Sequence, residues 1–238
     1  MSEVRRAVID PRCDDLDYSV RRYFVDEFFE RLLALLPPRS RVIDVGGIKT
    51  RKRGQFDIRR FDLDVVCANT SRAAEPDVLA DAASIPLPGG AADAVILAEV
   101  VEHLVDPPGA LAQAARLLRP GGVLLATAPF LFRVHADPID VARYTPDWWT
   151  MALDRAGFQQ VTIERQGLLL SVLAEMLRGW AKHLADTRSF WPGLENSVPA
   201  MVRLAREQAL EWEARPAFSS VEYDRSYTTG YGVKAVRR

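Results

Sequence analysis

The chain has 238 residues, enough for one domain with a sizeable buried core. Its 31 basic and 32 acidic residues leave a formal net charge of -1, so no global positive field draws it to nucleic acid or to an anionic membrane. A hydrophobic fraction of 48% excludes a disordered composition, and two cysteines, Cys13 and Cys67, exclude a disulfide framework or a four-cysteine zinc site.

The opening Met-Ser-Glu-Val-Arg-Arg lacks the apolar core of a signal peptide. The most apolar helical stretch, residues 167–184, is interrupted by Glu175, Arg178 and Lys182, so no membrane span is expected and the expected location is cytoplasmic. Residues 16–36 carry Val20, Tyr23, Phe24, Phe28, Leu32 and Leu35 at helical spacing, with Asp14 or Asp15 as cap and Pro37-Pro38 as stop. They form a helical extension within residues 1–40.

Runs 41–46, 61–68, 92–98 and 122–128 are continuously apolar, which suits strands of a parallel sheet covered on both faces. Asp106-Pro107-Pro108 starts a helix over 110–118 that Pro120-Gly121-Gly122 stops, and Thr145-Pro146 starts another that ends at Gly157. A strand over 161–165 follows. Residues 41–165 therefore read as a doubly wound α/β core within a single domain. Helical stretches at 168–184 and 199–213 make residues 166–227 a lid or a homodimer contact, and 228–238 supplies the last strand. The stripe Leu169, Leu173, Met176, Leu177, Trp180 and Leu184 is expected to pack on the core in preference to binding lipid.

Ligands of open α/β sheets bind beyond the carboxyl ends of the strands. Those ends read Asp44-Val45-Gly46-Gly47, then Asn69-Thr70-Ser71, then Asp81-Ala82, then Ala98-Glu99 leading into Glu102-His103-Leu104, with Arg119-Pro120-Gly121-Gly122 beyond. Each is weak alone. In this order, from Arg41 to Phe158, they resemble the class I S-adenosylmethionine-dependent methyltransferases of the ubiquinone/menaquinone-biosynthesis-like methyltransferase-domain family.

The resemblance implies a doubly wound, seven-stranded, mostly parallel sheet with a helical insertion before the last strand, and S-adenosylmethionine as cofactor. Gly46 and Gly47 would let its methionine part lie on the backbone, and Asp44 would orient its amino group. Asn69 would face the ribose, Asp81 would accept from the adenine amine, and the Ala82 backbone would meet a ring nitrogen. Ala98 and Glu99 would pass beneath the sulfonium.

Two departures stand out. Ile48-Lys49-Thr50-Arg51-Lys52-Arg53-Gly54 has neither the family's third glycine nor helical periodicity, and its charges read as a solvated loop ahead of an anion-binding one. Asn69 stands where an acidic ribose ligand is usual. These departures keep a non-catalytic methyltransferase-like subunit as the alternative. A dinucleotide-dependent oxidoreductase ranks lower because G-x-G-x-x-G is absent.

The segment 129–146 begins at the ligand edge and concentrates His135, Asp137, Asp140, Arg143 and Tyr144. Related methyltransferases carry a similar segment beside the acceptor pocket. Methyl transfer is a direct displacement that depends mostly on positioning, and a base is needed only when the acceptor loses a proton. His135 is the first choice for that base, with Asp140 or Tyr144 as substitutes. His135 has the alternative of anchoring the loop through Asp137 or Asp140. His103 and Arg143 are assigned to substrate binding, and Arg143 has the alternative of pairing with Asp140. The expected reaction is methyl transfer to a small molecule, with a hydroxyl favoured, and neither a metal nor nucleic acid is expected.

Overall fold

The computed structural model describes residues 9–10, 16–50, 52, 54–136, 139–188, 193–194 and 197–238; Asp14, Asp15, Arg51, Arg53 and Asp137 lie outside the described residues. Strands β1 (Ser40–Val45), β2 (Leu63–Asn69), β3 (Val78–Leu79), β4 (Ala92–Ala98), β5 (Leu118–Pro129), β6 (Phe158–Gln166) and β7 (Gly230–Arg237) form one sheet. Its order is β3-β2-β1-β4-β5-β7-β6. β1 to β5 run parallel, and β7 is antiparallel to both β5 and β6. The strand order reverses between β1 and β4, which places the ligand crevice at their carboxyl ends.

Successive side chains of a strand point to opposite faces, and here both faces are apolar. Ile43, Val45, Val95, Leu97, Leu124 and Ala126 share one core with Leu111, Trp149 and Leu153 of helices α2 (Pro107–Leu117) and α3 (Pro146–Arg155). Asp106 caps α2 by accepting from Gly109 N, and Thr145 caps α3 by accepting from Trp148 N, as their sequence signals imply.

Val42, Ala94, Ile96 and Leu125 face the other way, onto Val25, Phe28, Phe29, Leu32 and Leu33 of helix α1 (Val20–Leu33). The cap of α1 is Ser19, whose hydroxyl accepts from Arg22 N at 2.9 Å. Between β1 and β2 the described residues form one 3-10 turn, Ile58–Arg60, and no α-helix. The N-terminal extension thus covers sheet that a crossover helix would otherwise cover.

Helices α4 (Leu169–Thr187), α5 (Ser197–Glu213), α6 (Pro216–Ser219) and α7 (Glu222–Arg225) form the insertion before β7. No described helix is long and apolar enough to cross a membrane. The apolar stripe of α4 packs inward only in part: Leu177 lies against the cluster of Ala181, Val198 and Val202, and Leu169 and Leu184 are half-buried. Leu173, Met176 and Trp180 are exposed, whereas Ala174, Glu175, Arg178 and Ala181 are buried. The reason is polar. Glu175 accepts from Val20 N at 2.8 Å and pairs with Arg178, which also donates to the Leu16 carbonyl. Burying these charges unpaired would cost more than leaving three apolar side chains in water.

Candidate active site

Gly46 ends β1 with φ +80°, and a Cβ there would come within 2.5 Å of Val100 Cγ2. At Gly47 a Cβ would meet Asp44 Oδ2 at 2.0 Å, because the Asp44 carboxylate folds beneath the loop. With no helix to receive the Gly47 carbonyl, β2 satisfies it. Asn69 Nδ2 donates to it at 2.8 Å and Cys67 Sγ at 3.3 Å. Burial, then the Asp44 charge, pushes the Cys67 thiol up to about 11, so it stays protonated as a donor. Asn69 Oδ1 in turn accepts from Ser71 N at 2.9 Å.

The Asn69 departure therefore has a physical reason, since a carboxylate could not donate to Gly47. Asn69→Asp is expected to cost about 1–3 kcal/mol of stability, read as a lower urea midpoint, and to weaken cofactor binding. Lys49, in the basic run, pairs with Asp77, which also accepts from Cys67 N at 3.0 Å. That lysine ties the loop to the start of β3.

Three cavities open at this edge. The first, about 560 Å³, is lined by Gly46, Asn69, Asp81, Ala82, Glu99 and His103 among others. The second, about 290 Å³, lies toward α1 and takes in Asp44, Gly46, Gly47 and Ala98, with Phe29 and Phe56. Gly46 and Ile48 line both. The third, about 650 Å³, is lined by Arg21, Arg22, Arg133, Arg178, Lys182 and His135, and shares Glu99 and His103 with the first.

Glu99 thus sits in the wall between two cavities, with φ +55° and its N–H on the Thr127 carbonyl at 3.0 Å. Such a backbone in a bulky residue is strained and is held by its surroundings. Arg21, 2% exposed, grips the Glu99 carboxylate with Nε at 3.0 Å and with Nη2, while Nη1 reaches Gln166. Burial pushes the Glu99 carboxyl up, but Arg21 outweighs it and holds the group below its ordinary value.

Three residues on, Glu102 is fully buried with neither carboxylate oxygen hydrogen-bonded within the protein. Burial, then the Glu99 charge, pushes it up to about 8. His103 Nδ1 meets the Ile139 carbonyl, and its ring stands edge-on to that of His135 at 5.2 Å.

Asp140 and Arg143 do not line any of the three cavities. Arg143 pairs with Asp140, the alternative foreseen for it, and holds that carboxyl far below its usual range. Asp140 Oδ2 accepts from His135 N at 2.8 Å and lies 3.3 Å from His135 Nδ1. Tyr144 turns into the core, 7% exposed, with its ring 4.0 Å from Trp148 and its hydroxyl donating to the Val101 carbonyl at 3.3 Å. Burial raises its pKa, and it lines none of the three cavities. Arg21 and Arg133 line the third cavity and are not singled out by the motifs, whereas Glu102 lies within the Glu102-His103-Leu104 motif but is given no role of its own. Glu102 stood in plain view one position before His103, whereas the pairing of Arg21 spans 78 residues.

A model described as "Methyltransferase domain" matches residues 19–166, well over half of the chain. The chain belongs to the methyltransferase-domain family. Matched at lower coverage is the ubiquinone/menaquinone biosynthesis C-methyltransferase UbiE of Caulobacter vibrioides, 28% identical over 114 residues, which are 44% of each protein. An uncharacterized 37.1 kDa protein in transposon TN4556 of Streptomyces fradiae is 34% identical over 100 residues, 41% of this chain and 26% of that protein. The matches thus span less than half the length of these relatives.

Among solved structures, a SAM-dependent methyltransferase from Archaeoglobus fulgidus superposes with a TM-score of 0.53 at 15% identity, covering 90% of this chain and 93% of that one. The [4+2]-cyclase SpnF superposes at 0.55 and 20% identity, covering 90% and 79%. These likenesses establish the class I methyltransferase fold. The donors of this methyltransferase domain fit S-adenosylmethionine. The first cavity is lined by both Asp81 and Gly46, and the cradle at Gly46 is one that a Cβ would fill.

Proposed function

We propose that this methyltransferase domain transfers a methyl group from S-adenosylmethionine to a hydroxyl of an anionic small molecule. The observation that carries the reading is that the first and third cavities meet at Glu99 and His103. When bound, S-adenosylmethionine supplies a methyl group on a sulfonium, open to direct displacement. The chain's part is positioning. Asp81, Ala82 and Asn69 hold the nucleoside, Gly46 and Gly47 with Asp44 hold the amino-acid end, and Ala98 and Glu99 form the floor below the reacting centre.

The third cavity carries five basic side chains against two carboxylates, Asp17 and Glu99, which favours an anionic acceptor. Arg133 is the exposed cation of that set and has no ion pair among the described residues. A hydroxyl is favoured because two imidazoles stand at the junction, and proton handling matters only for a nucleophile that must lose a proton. His103 and His135 mark the place where that proton is given up. Asp140, fixed by Arg143, positions His135, and Tyr144 braces the turn after β4.

Calorimetric titration with S-adenosylmethionine tests the reading. Micromolar binding is expected, and Asp81→Ala should weaken it about 10- to 100-fold through loss of a charged hydrogen-bond acceptor. In an acceptor screen, Arg133→Ala should raise KM for an anionic acceptor and leave kcat near its original value. No binding at millimolar cofactor would sink the catalytic reading in favour of a methyltransferase-like subunit.

A further inference from the structure

Glu102, His103 and His135 bring one carboxylate and two imidazoles together, with a ligand atom from each within 4.8 Å of the others. Two of the three come from the turn after β4 and the third from the loop after β5, so the sheet itself fixes their spacing. Glu102 is fully buried and both of its oxygens lack a hydrogen-bond partner within the protein. A buried carboxyl group whose oxygens lack partners is costly and calls for a ligand to satisfy them.

The histidines are oriented for the same purpose. His103 Nδ1 faces the Ile139 carbonyl and so carries the proton, which leaves Nε2 bare, 3.6 Å from Glu102 Oε1. His135 Nδ1 lies 3.3 Å from the Arg133 carbonyl and from Asp140 Oδ2. A ring nitrogen that donates to a carbonyl or carboxylate while the other stays bare is the arrangement seen in metal-binding histidines. The neighbouring charges cancel in pairs, Arg21 with Glu99 and Arg143 with Asp140. Glu102 is the group whose oxygens are left without a hydrogen bond.

We propose that Glu102, His103 and Asp140-braced His135 bind a divalent transition-metal ion at the wall between the cofactor and acceptor cavities. Two imidazole nitrogens and one carboxylate suit zinc, manganese or iron(II) better than magnesium, which prefers oxygen ligands. The ion's task rests on the function proposed above; its binding does not. At this wall the ion meets the acceptor oxygen as a Lewis acid. The hydroxyl proton leaves to the water of the open cavity, the O–CH3 bond forms as the S–CH3 bond breaks, and the cofactor departs as its neutral thioether.

The test is titration of the chelator-stripped full chain with cobalt(II) chloride, followed by visible absorption and calorimetry. One equivalent is expected to bind, with the d–d bands of a nitrogen- and oxygen-ligated ion. Glu102→Gln, His103→Ala and His135→Ala should each weaken binding at least about tenfold. Far-ultraviolet circular dichroism and urea unfolding of the same variants report whether they are folded. The proposal is overturned if the wild-type chain binds cobalt no better than folded variants do. It is also overturned in its catalytic part if the stripped protein methylates its acceptor at an undiminished rate. Cobalt binding without S-adenosylmethionine binding would confirm the metal site while refuting the methyltransferase reading.

Discussion

Arg21→Ala is expected to lower stability by about 3–5 kcal/mol and to remove methyl transfer, because it strands the Glu99 carboxylate in the wall between two cavities. The pH dependence identifies the cause. In the wild-type chain Arg21 holds the Glu99 carboxyl below its ordinary value. A depressed folded pKa contributes stability above the unfolded value of about 4.3, and that stability is lost as pH falls through the folded value.

Without Arg21, burial and the nearby Glu102 remain, so the folded pKa of Glu99 moves above the unfolded one. The sign then reverses. The penalty is absent below the unfolded value and grows as pH rises toward the new folded value. Urea denaturation at several pH values should show the deficit of the variant shrinking from pH 7 toward pH 4. Glu99→Gln in the same background should restore much of it. A deficit indifferent to pH and to Glu99→Gln would mean that Arg21 acts by packing alone.

Phe28→Ala should cost about 3–5 kcal/mol, among the largest losses open to a single apolar side chain here. Phe28 is 1% exposed, stands edge-on to Phe29 at 5.2 Å, and lies so close to β7 that a Cβ at Gly232 would come within 2.6 Å of its ring. It fastens α1 to the sheet. Arg21 lies about two turns earlier on the same helix, so loosening Phe28 also loosens the grip on Glu99 and should lower kcat. Crowding the same contact with Gly232→Ala should cost about 1–3 kcal/mol. Urea unfolding measures both, and a Phe28→Ala loss below about 1 kcal/mol would mean that α1 is held by its polar contacts instead.

Much of the architecture could be read locally. The β-branched runs became β1, β2 and β4, and the caps at Asp106 and Thr145 start α2 and α3. The Arg119-Gly122 turn falls inside β5, which begins at Leu118, as a bulge: Leu118 pairs with Ala92 and Val123 with Ala94, and the turn loops out between them. The Asp140–Arg143 pair was also legible as an alternative, since three residues separate its members.

The sequence by itself determined the family, the sheet and the order of its ligand-edge motifs, because these depend on periodicity and on glycines at strand ends. Only the tertiary structure decided that α1 replaces a crossover helix, that Asn69 braces Gly47 and that Arg21 clamps Glu99. It also decided which face of α4 is buried. Each of these depends on a partner far away in the chain, such as Val20 N for Glu175, 155 residues away. A local apolar stripe predicts burial only when no buried charge competes, and on α4 the paired Glu175 and Arg178 took the inner face.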